Sequence, residues 1–195
     1  FEGCKWLRGR NWQQLALDVH ELDAVILTHA HLDHSGYIPV LYKQGFRGQV
    51  FTHHATKSLC QILLADSGHL QEEDAKYYSK HKLGKHAHPE PLYDRRTAEN
   101  SIELFQSIDF DELVEIKDLR FYLQPAGHIL GAASIILEAE NKKIGFSGDV
   151  GRYSDVLMAS PRPLPAIDHL LMESTYGNRQ HSNVDSLGQL ADVVN

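Results

Sequence analysis

Cysteine, long apolar runs and positive charge are all scarce in this chain. Two cysteines among 195 residues, Cys4 and Cys60, are too few for a disulfide framework and stand in no C-x-x-C spacing, so a reducing, cytoplasmic setting is the simplest expectation. Ala24-Val25-Ile26-Leu27 and Ser134-Ile135-Ile136-Leu137 stop far short of the length that spans a bilayer, and no membrane association is expected. Phe1-Glu2-Gly3-Cys4-Lys5 carries neither the apolar run of a signal peptide nor the amphipathic pattern of a transit peptide. Beginning at Phe1 rather than Met, the chain reads as an excised piece of a longer protein. Lys and Arg number 19 against 26 Asp and Glu, and the formal net charge of −7 argues mildly against a nonspecific nucleic-acid clamp, which needs a basic footprint. That average also counts carboxylates able to hold cations.

Histidine, by contrast, is abundant, at 13 residues. With 42% hydrophobic and 23% charged residues the composition is that of an ordinary globular chain, and at about 150 residues per domain the length suits one domain, or one domain and part of another.

The β-prone run Asp23 to Thr28 predicts a strand buried on both faces that ends in the cluster His29-Ala30-His31-Leu32-Asp33-His34. Tyr37 to Gln44 predicts a helix, with Pro39 in its first turn and Gly45 as its cap, and Gln49 to Thr52 a short strand. Leu59, Ile62, Leu63 and Leu70 fit one or two helices between Ala55 and Lys80, followed by a loop to Pro91. A helix is predicted over Arg95 to Ser107, with Asp94 as N-cap and Ala98, Ile102 and Phe105 on one face. Leu119 to Leu123, Ala132 to Leu137, Lys143 to Phe146 and Ile167 to Met172 read as strands, the second and third joined by a turn through Glu140-Asn141-Lys142. Strands and helices in this order suggest a layered α/β sandwich.

Four metal-ligand side chains within six residues, His29, His31, Asp33 and His34, suit an irregular loop rather than a helical H-E-x-x-H arrangement, and imidazoles with a carboxylate suit a borderline cation such as Zn²⁺. One loop cannot encircle two ions, so further ligands must come from other strand ends. His128 in Ala126-Gly127-His128-Ile129-Leu130-Gly131 and Asp149 in Phe146-Ser147-Gly148-Asp149-Val150-Gly151 are the candidates, each in a glycine-framed turn that permits close backbone approach. His53-His54, and His81, His86 and His88 with Lys76, Lys80, Lys82 and Lys85, show no ligand spacing; they read as solvated loop or as a weak basic contact to a nucleic-acid backbone.

His29-x-His31-x-Asp33-His34 resembles the H-x-H-x-D-H signature of the metallo-β-lactamase fold, with His128 and Asp149 matching its later histidine and bridging aspartate in order. Met172-Glu173-Ser174-Thr175-Tyr176-Gly177 resembles the segment that opens the β-CASP insertion of that family's nucleases, and Glu173 with Ser174 leans toward the RNA branch. The resemblance implies an αββα sandwich, truncated at both ends, with residues 1–177 in the metallo-β-lactamase domain and 178–195 at the start of the β-CASP insertion. It implies that His29, His31 and His128 hold one zinc and that Asp33 and His34 serve a second, Asp149 bridging. It further implies hydrolysis of single-stranded RNA, internally or from the 5′ end, by hydroxide generated between the metals. Asp33, Asp149 and Glu173 are then the catalytic acids, Glu173 acting beside a histidine beyond residue 195. Arg179 and His181 are candidates for phosphate contact or for anchoring their own loop. A homodimer is left open.

The family's first aspartate motif would precede Phe1, and its last metal histidine would follow Asn195. This stretch alone is therefore expected to have an incomplete second metal position and little nuclease activity. A thioesterase or lactonase on the same scaffold is the main alternative, since it shares every ligand up to Asp149. A redox di-iron member or a silent scaffold subunit is the alternative from another class.

Overall fold

Apolar residues after Asp23 form strand β1 (Ala24–Ile26), which pairs in parallel with β2 (Gln49–His53), itself parallel to β3 (Phe105–Ile108). The structure is a computed structural model and describes residues 6–13, 15–81, 89–179 and 186–194. Val25 sits beside Val50 and Ile26 beside Phe51, and the ladder runs on past β1 as Leu27 N–H donates to Phe51 C=O at 2.9 Å. Strand β2 is buried on both faces. Val50 joins a core with Val40, Leu41, Cys60, Leu64 and Ala98 from the helices, whereas Phe51 turns the other way, toward a second sheet.

The helices on that first face are the single turn α1 (Leu32–Ser35), α2 (Ile38–Lys43), the 28-residue α3 (His54–His81) and α4 (Arg95–Ser101). Asp94 caps α4, accepting the Thr97 N–H at 2.7 Å, as expected of an N-cap worth about 1 kcal/mol. Gly68 lets α3 approach this cap, because a Cβ there would lie 2.8 Å from backbone atoms of Asp94 and Arg95.

The second sheet has the order β4 (Val114–Ile116), β5 (Leu119–Pro125), β6 (Ala133–Ala139), β7 (Lys142–Phe146) and β8 (His169–Leu171), antiparallel except for β8, which runs parallel to β7. Strands β6 and β7 close on Glu140 and Asn141, both at positive φ (48° and 60°), the backbone of a type I′ hairpin. Phe121, Leu123, Ala133 and Ile135 from this sheet meet Phe51 and Ile108 from the first, with the Phe51 and Phe121 rings edge to face at 5.4 Å. Helices, sheet and sheet are thus three consecutive layers of the expected αββα sandwich. A further helix, α5 (Ser186–Val194), follows in the chain.

Three local expectations need correction. The helix predicted over Arg95 to Ser107 ends at Ser101; a 3-10 turn (Ile102–Leu104) follows, and Phe105 begins β3. Ala98, Ile102 and Phe105 do share helical spacing, but pairing with β2 overrides it at Phe105. Asp33 and His34 lie on the helical turn α1 rather than on irregular loop. His53 is not solvated: it ends β2 at 8% exposure, and His54, Lys76, Lys80 and His81 lie on α3 rather than in a loop. His86, His88, Lys82 and Lys85 fall outside the described residues.

Candidate metal centre

The cluster forms where the two sheets are stitched together. As the chain leaves β1, Thr28 C=O accepts the Ala133 N–H at 2.9 Å, binding the start of the histidine loop to the first residue of β6. Ser35, fully buried, donates its hydroxyl to Ala30 C=O (2.8 Å) and His31 C=O (3.0 Å), folding residues 30–35 back on themselves. The loop of His128 is held from α3, where the Thr56 hydroxyl donates to Gly131 C=O at 2.9 Å. Gly148 carries the turn before Asp149 at φ +57°, and a Cβ there would stand 2.8 Å from Ala133 C=O.

These turns bring His29, His31, His128 and Asp149 to one point, with a ligand atom of each lying within 4.8 Å of the others. His31 Nδ1 is 3.1 Å from both His29 Nε2 and His128 Nε2, while Asp149 Oδ2 is 3.7 Å from His29 Nε2 and 3.5 Å from His128 Nε2. A tetrahedral ion with bonds of about 2.0–2.1 Å spaces its ligands about 3.3–3.4 Å apart, so the four donors fit one such ion in number, chemistry and spacing. The other carboxylate oxygen of Asp149 is 3.4 Å from His34 Nε2, which is itself 3.5 Å from Asp33 Oδ2. Asp33, His34 and Asp149 could therefore hold a second cation, with Asp149 shared.

His29 is fully buried. Burial, reinforced by His34, His31 and His128 and opposed by Asp33, lowers its pKa to about 3, leaving a neutral ring with a lone pair to donate. Thr28 Oγ1 lies 3.1 Å from its Nδ1; in the tautomer whose Nδ1–H donates to that hydroxyl, Nε2, the nitrogen facing the cluster, keeps its lone pair for an ion.

Glu173 follows β8 and accepts the Val150 N–H at 2.6 Å, while its own N–H donates to Ser147 Oγ at 3.0 Å. It sits one residue from Asp149 in space and braces that turn. Arg179 is not brought to the cluster: it is exposed, with its guanidinium 5.5 Å from the Tyr176 ring centre and its N–H on Tyr176 C=O. His181 lies outside the described residues. Thr28, Ser35, Thr56 and Ser147 were not singled out from sequence for these supporting roles. Thr28, Ser35 and Ser147 stand beside ligand motifs in the sequence, a local signal that Thr56 lacks.

The fold and site define a class: residues 4–194 match the beta-lactamase superfamily domain, and the chain belongs to that superfamily. Its relatives carry nuclease names. It is 31% identical over 172 residues to the ribonuclease TTHA0252 of Thermus thermophilus, which covers 88% of this chain and 36% of the relative. It is 35% identical over 167 residues to cleavage and polyadenylation specificity factor 73 of Drosophila melanogaster (85% and 22%), and 32% identical over 180 residues to the endoribonuclease ysh1 of Schizosaccharomyces pombe (91% and 22%). The chain thus spans between 22% and 36% of the length of these relatives. Among solved structures it is similar to a metallo-β-lactamase with a HARLDQ motif from Cronobacter sakazakii, with a TM-score of 0.47 and 16% identity over 71% of this chain and 45% of that one. No helix among the described residues is long and apolar enough to cross a membrane.

Proposed function

We propose that the intact protein is a zinc-dependent phosphodiester hydrolase acting on single-stranded RNA in a reducing, cytoplasmic compartment. The observation that carries this reading is the convergence of His29, His31 and His128 on one oxygen of Asp149, with His34 against its other oxygen and Asp33 beside His34. Imidazole and carboxylate donors with solvent access suit Zn²⁺. Zinc at this cluster would supply charge neutralisation on the phosphodiester and activation of water near neutral pH.

The chain's own residues divide the remaining work. His29, His31 and His128 would hold the first position, and Asp33 and His34 the second. Asp149 would contribute to both and, with Asp33, would orient the attacking water. Glu173 keeps the Asp149 turn in register through the Val150 N–H, and its carboxylate is proposed to handle a proton during cleavage. Arg179 and His181 are proposed only as contacts at the edge of the substrate path. Residues 178–195 are read as the start of the β-CASP insertion, a reading supported by the exposed apolar side chains of Leu190, Val193 and Val194 on α5, which suit packing against further chain.

Incubating the intact protein with 5′-labelled RNA, DNA and a panel of thioesters and lactones tests the proposal. Chelator-sensitive RNA cleavage is the expected result, with fragment lengths separating internal cutting from 5′ trimming. Hydrolysis of the acyl substrates alone would overturn it in favour of a thioesterase or lactonase.

A further inference from the structure

A second group of ligand-type side chains lies apart from the cluster described above. Strand β2 ends at His53 and β3 at Ile108, and these two residues pair across the parallel ladder. Asp109 therefore leaves the sheet beside His53 and His54, at the carboxyl edge of the sheet. A ligand atom from each of His53, His54 and Asp109 lies within 4.8 Å of the others.

We propose that His53, His54 and Asp109 form a separate cation-binding site suited to a borderline divalent ion such as Zn²⁺. Two imidazoles and a carboxylate are the donor set that such an ion selects, and three protein ligands leave a position open to solvent. The arrangement is stiff where stiffness helps. The His53 ring lies flat on Phe110, with centroids 4.1 Å apart and an 18° interplanar angle, and the His54 ring is 4.0 Å from His53 at 38°. Glu112 accepts the Asp109 N–H at 2.8 Å and brings a second carboxylate to the same corner, which favours positive charge there.

His53 Nδ1 accepts the Ala55 N–H at 3.3 Å, a long contact, and Nε2 is the nitrogen proposed to bind the ion. Binding through Nε2 requires the ring proton to sit on Nδ1, so this contact is given up. Ala55 is in the first turn of α3, where N–H groups have no intrahelical partner and water can take over. The exchange is a tautomer shift with no net proton change.

The site is independent of the nuclease reading, and so is its test. The intact protein, stripped by chelator, is dialysed against matched free Zn²⁺ concentrations and its metal content counted, alongside a variant carrying both His54→Ala and Asp109→Asn. Both positions are exposed, so the variant is expected to melt like the parent in the metal-free state. The variant should bind one fewer ion per chain, and an unchanged count overturns the proposal. As a second reading, His54→Cys loaded with Co²⁺ should gain a thiolate-to-cobalt charge-transfer absorption that the parent lacks. A folded variant without that band also overturns it.

Discussion

The carboxylate of Glu173 accepts the N–H of Val150 at 2.6 Å, joining the end of β8 to the turn that presents Asp149. This bond makes Glu173 a brace for the turn that carries Asp149. Glu173→Gln keeps a carbonyl oxygen to accept that N–H; Glu173→Ala removes it. We expect the Ala variant to lose about 10- to 100-fold in Zn²⁺ affinity, the usual cost of removing an outer-shell support, and the Gln variant to stay within a few-fold of the parent. If Glu173 also handles a proton in RNA cleavage, Gln should lower turnover while retaining metal. Chelator competition and single-turnover cleavage read the two effects separately; equal metal affinity in the Ala and parent proteins would remove the bracing role.

Thr28 offers a parallel test on the other side of the cluster. Its hydroxyl is 3.1 Å from His29 Nδ1, in place to accept the Nδ1–H of the tautomer that leaves Nε2 open. Thr28→Val preserves the shape and deletes the acceptor, so Zn²⁺ affinity should fall about 10-fold or more, while Thr28→Ser should retain it. Competition against a coloured chelator measures both, and a Val variant that binds as tightly as the parent would show that the contact does not orient the ring.

How much of this was legible in the sequence follows from distance along the chain. His29, His31, Asp33 and His34 declare themselves because the chemistry is packed into six consecutive residues. His128 and Asp149 are each a single polar residue among glycines, and only the resemblance to a known motif joins them to the loop. The bonds that position them, Thr56 to Gly131 and Glu173 to Val150, cross 75 and 23 residues and leave no local pattern. Strand β3 was hidden for the same reason. Phe105 continues a helical spacing with Ala98 and Ile102, and only the partner strand decides otherwise. His53 looks like solvated loop until Phe110 covers its ring.

Cys60 provides a pH prediction. It is fully buried on α3, and burial pushes its thiol from an ordinary 9.0 up to about 12, against a smaller opposing hydrogen bond with Ser35. The reactive thiolate is therefore suppressed in the folded chain, and Cys60 should resist iodoacetamide at pH 8 until denaturant is added. The same shift has a stability consequence. Above pH 9 the unfolded thiol ionises while the folded one keeps its proton, so this group's contribution to stability falls as pH rises from 9 toward 12. Peptide mass spectrometry after alkylation separates Cys60 from Cys4, and rapid native labelling of Cys60 would contradict its burial.

Metal removal should be felt by the whole fold, because the candidate ligands come from the end of β1, the loop before β6 and the turn after β7. His31 Nδ1 stands 3.1 Å from two other ring nitrogens, a convergence that one shared ion would satisfy. An ion that binds only the folded state adds about 2.7 kcal/mol at a free concentration 100 times its dissociation constant. For a chain of 195 residues, where each kcal/mol moves the midpoint by about 2–4 °C, chelation should lower Tm by about 5–10 °C, and Zn²⁺ should restore it. His31→Ala should abolish most of that shift, whereas His54→Ala should leave most of it in place. Calorimetry of the three proteins with and without chelator makes the comparison, and a Tm indifferent to both chelator and Zn²⁺ would rule out an ion at the His29, His31, His128 and Asp149 cluster.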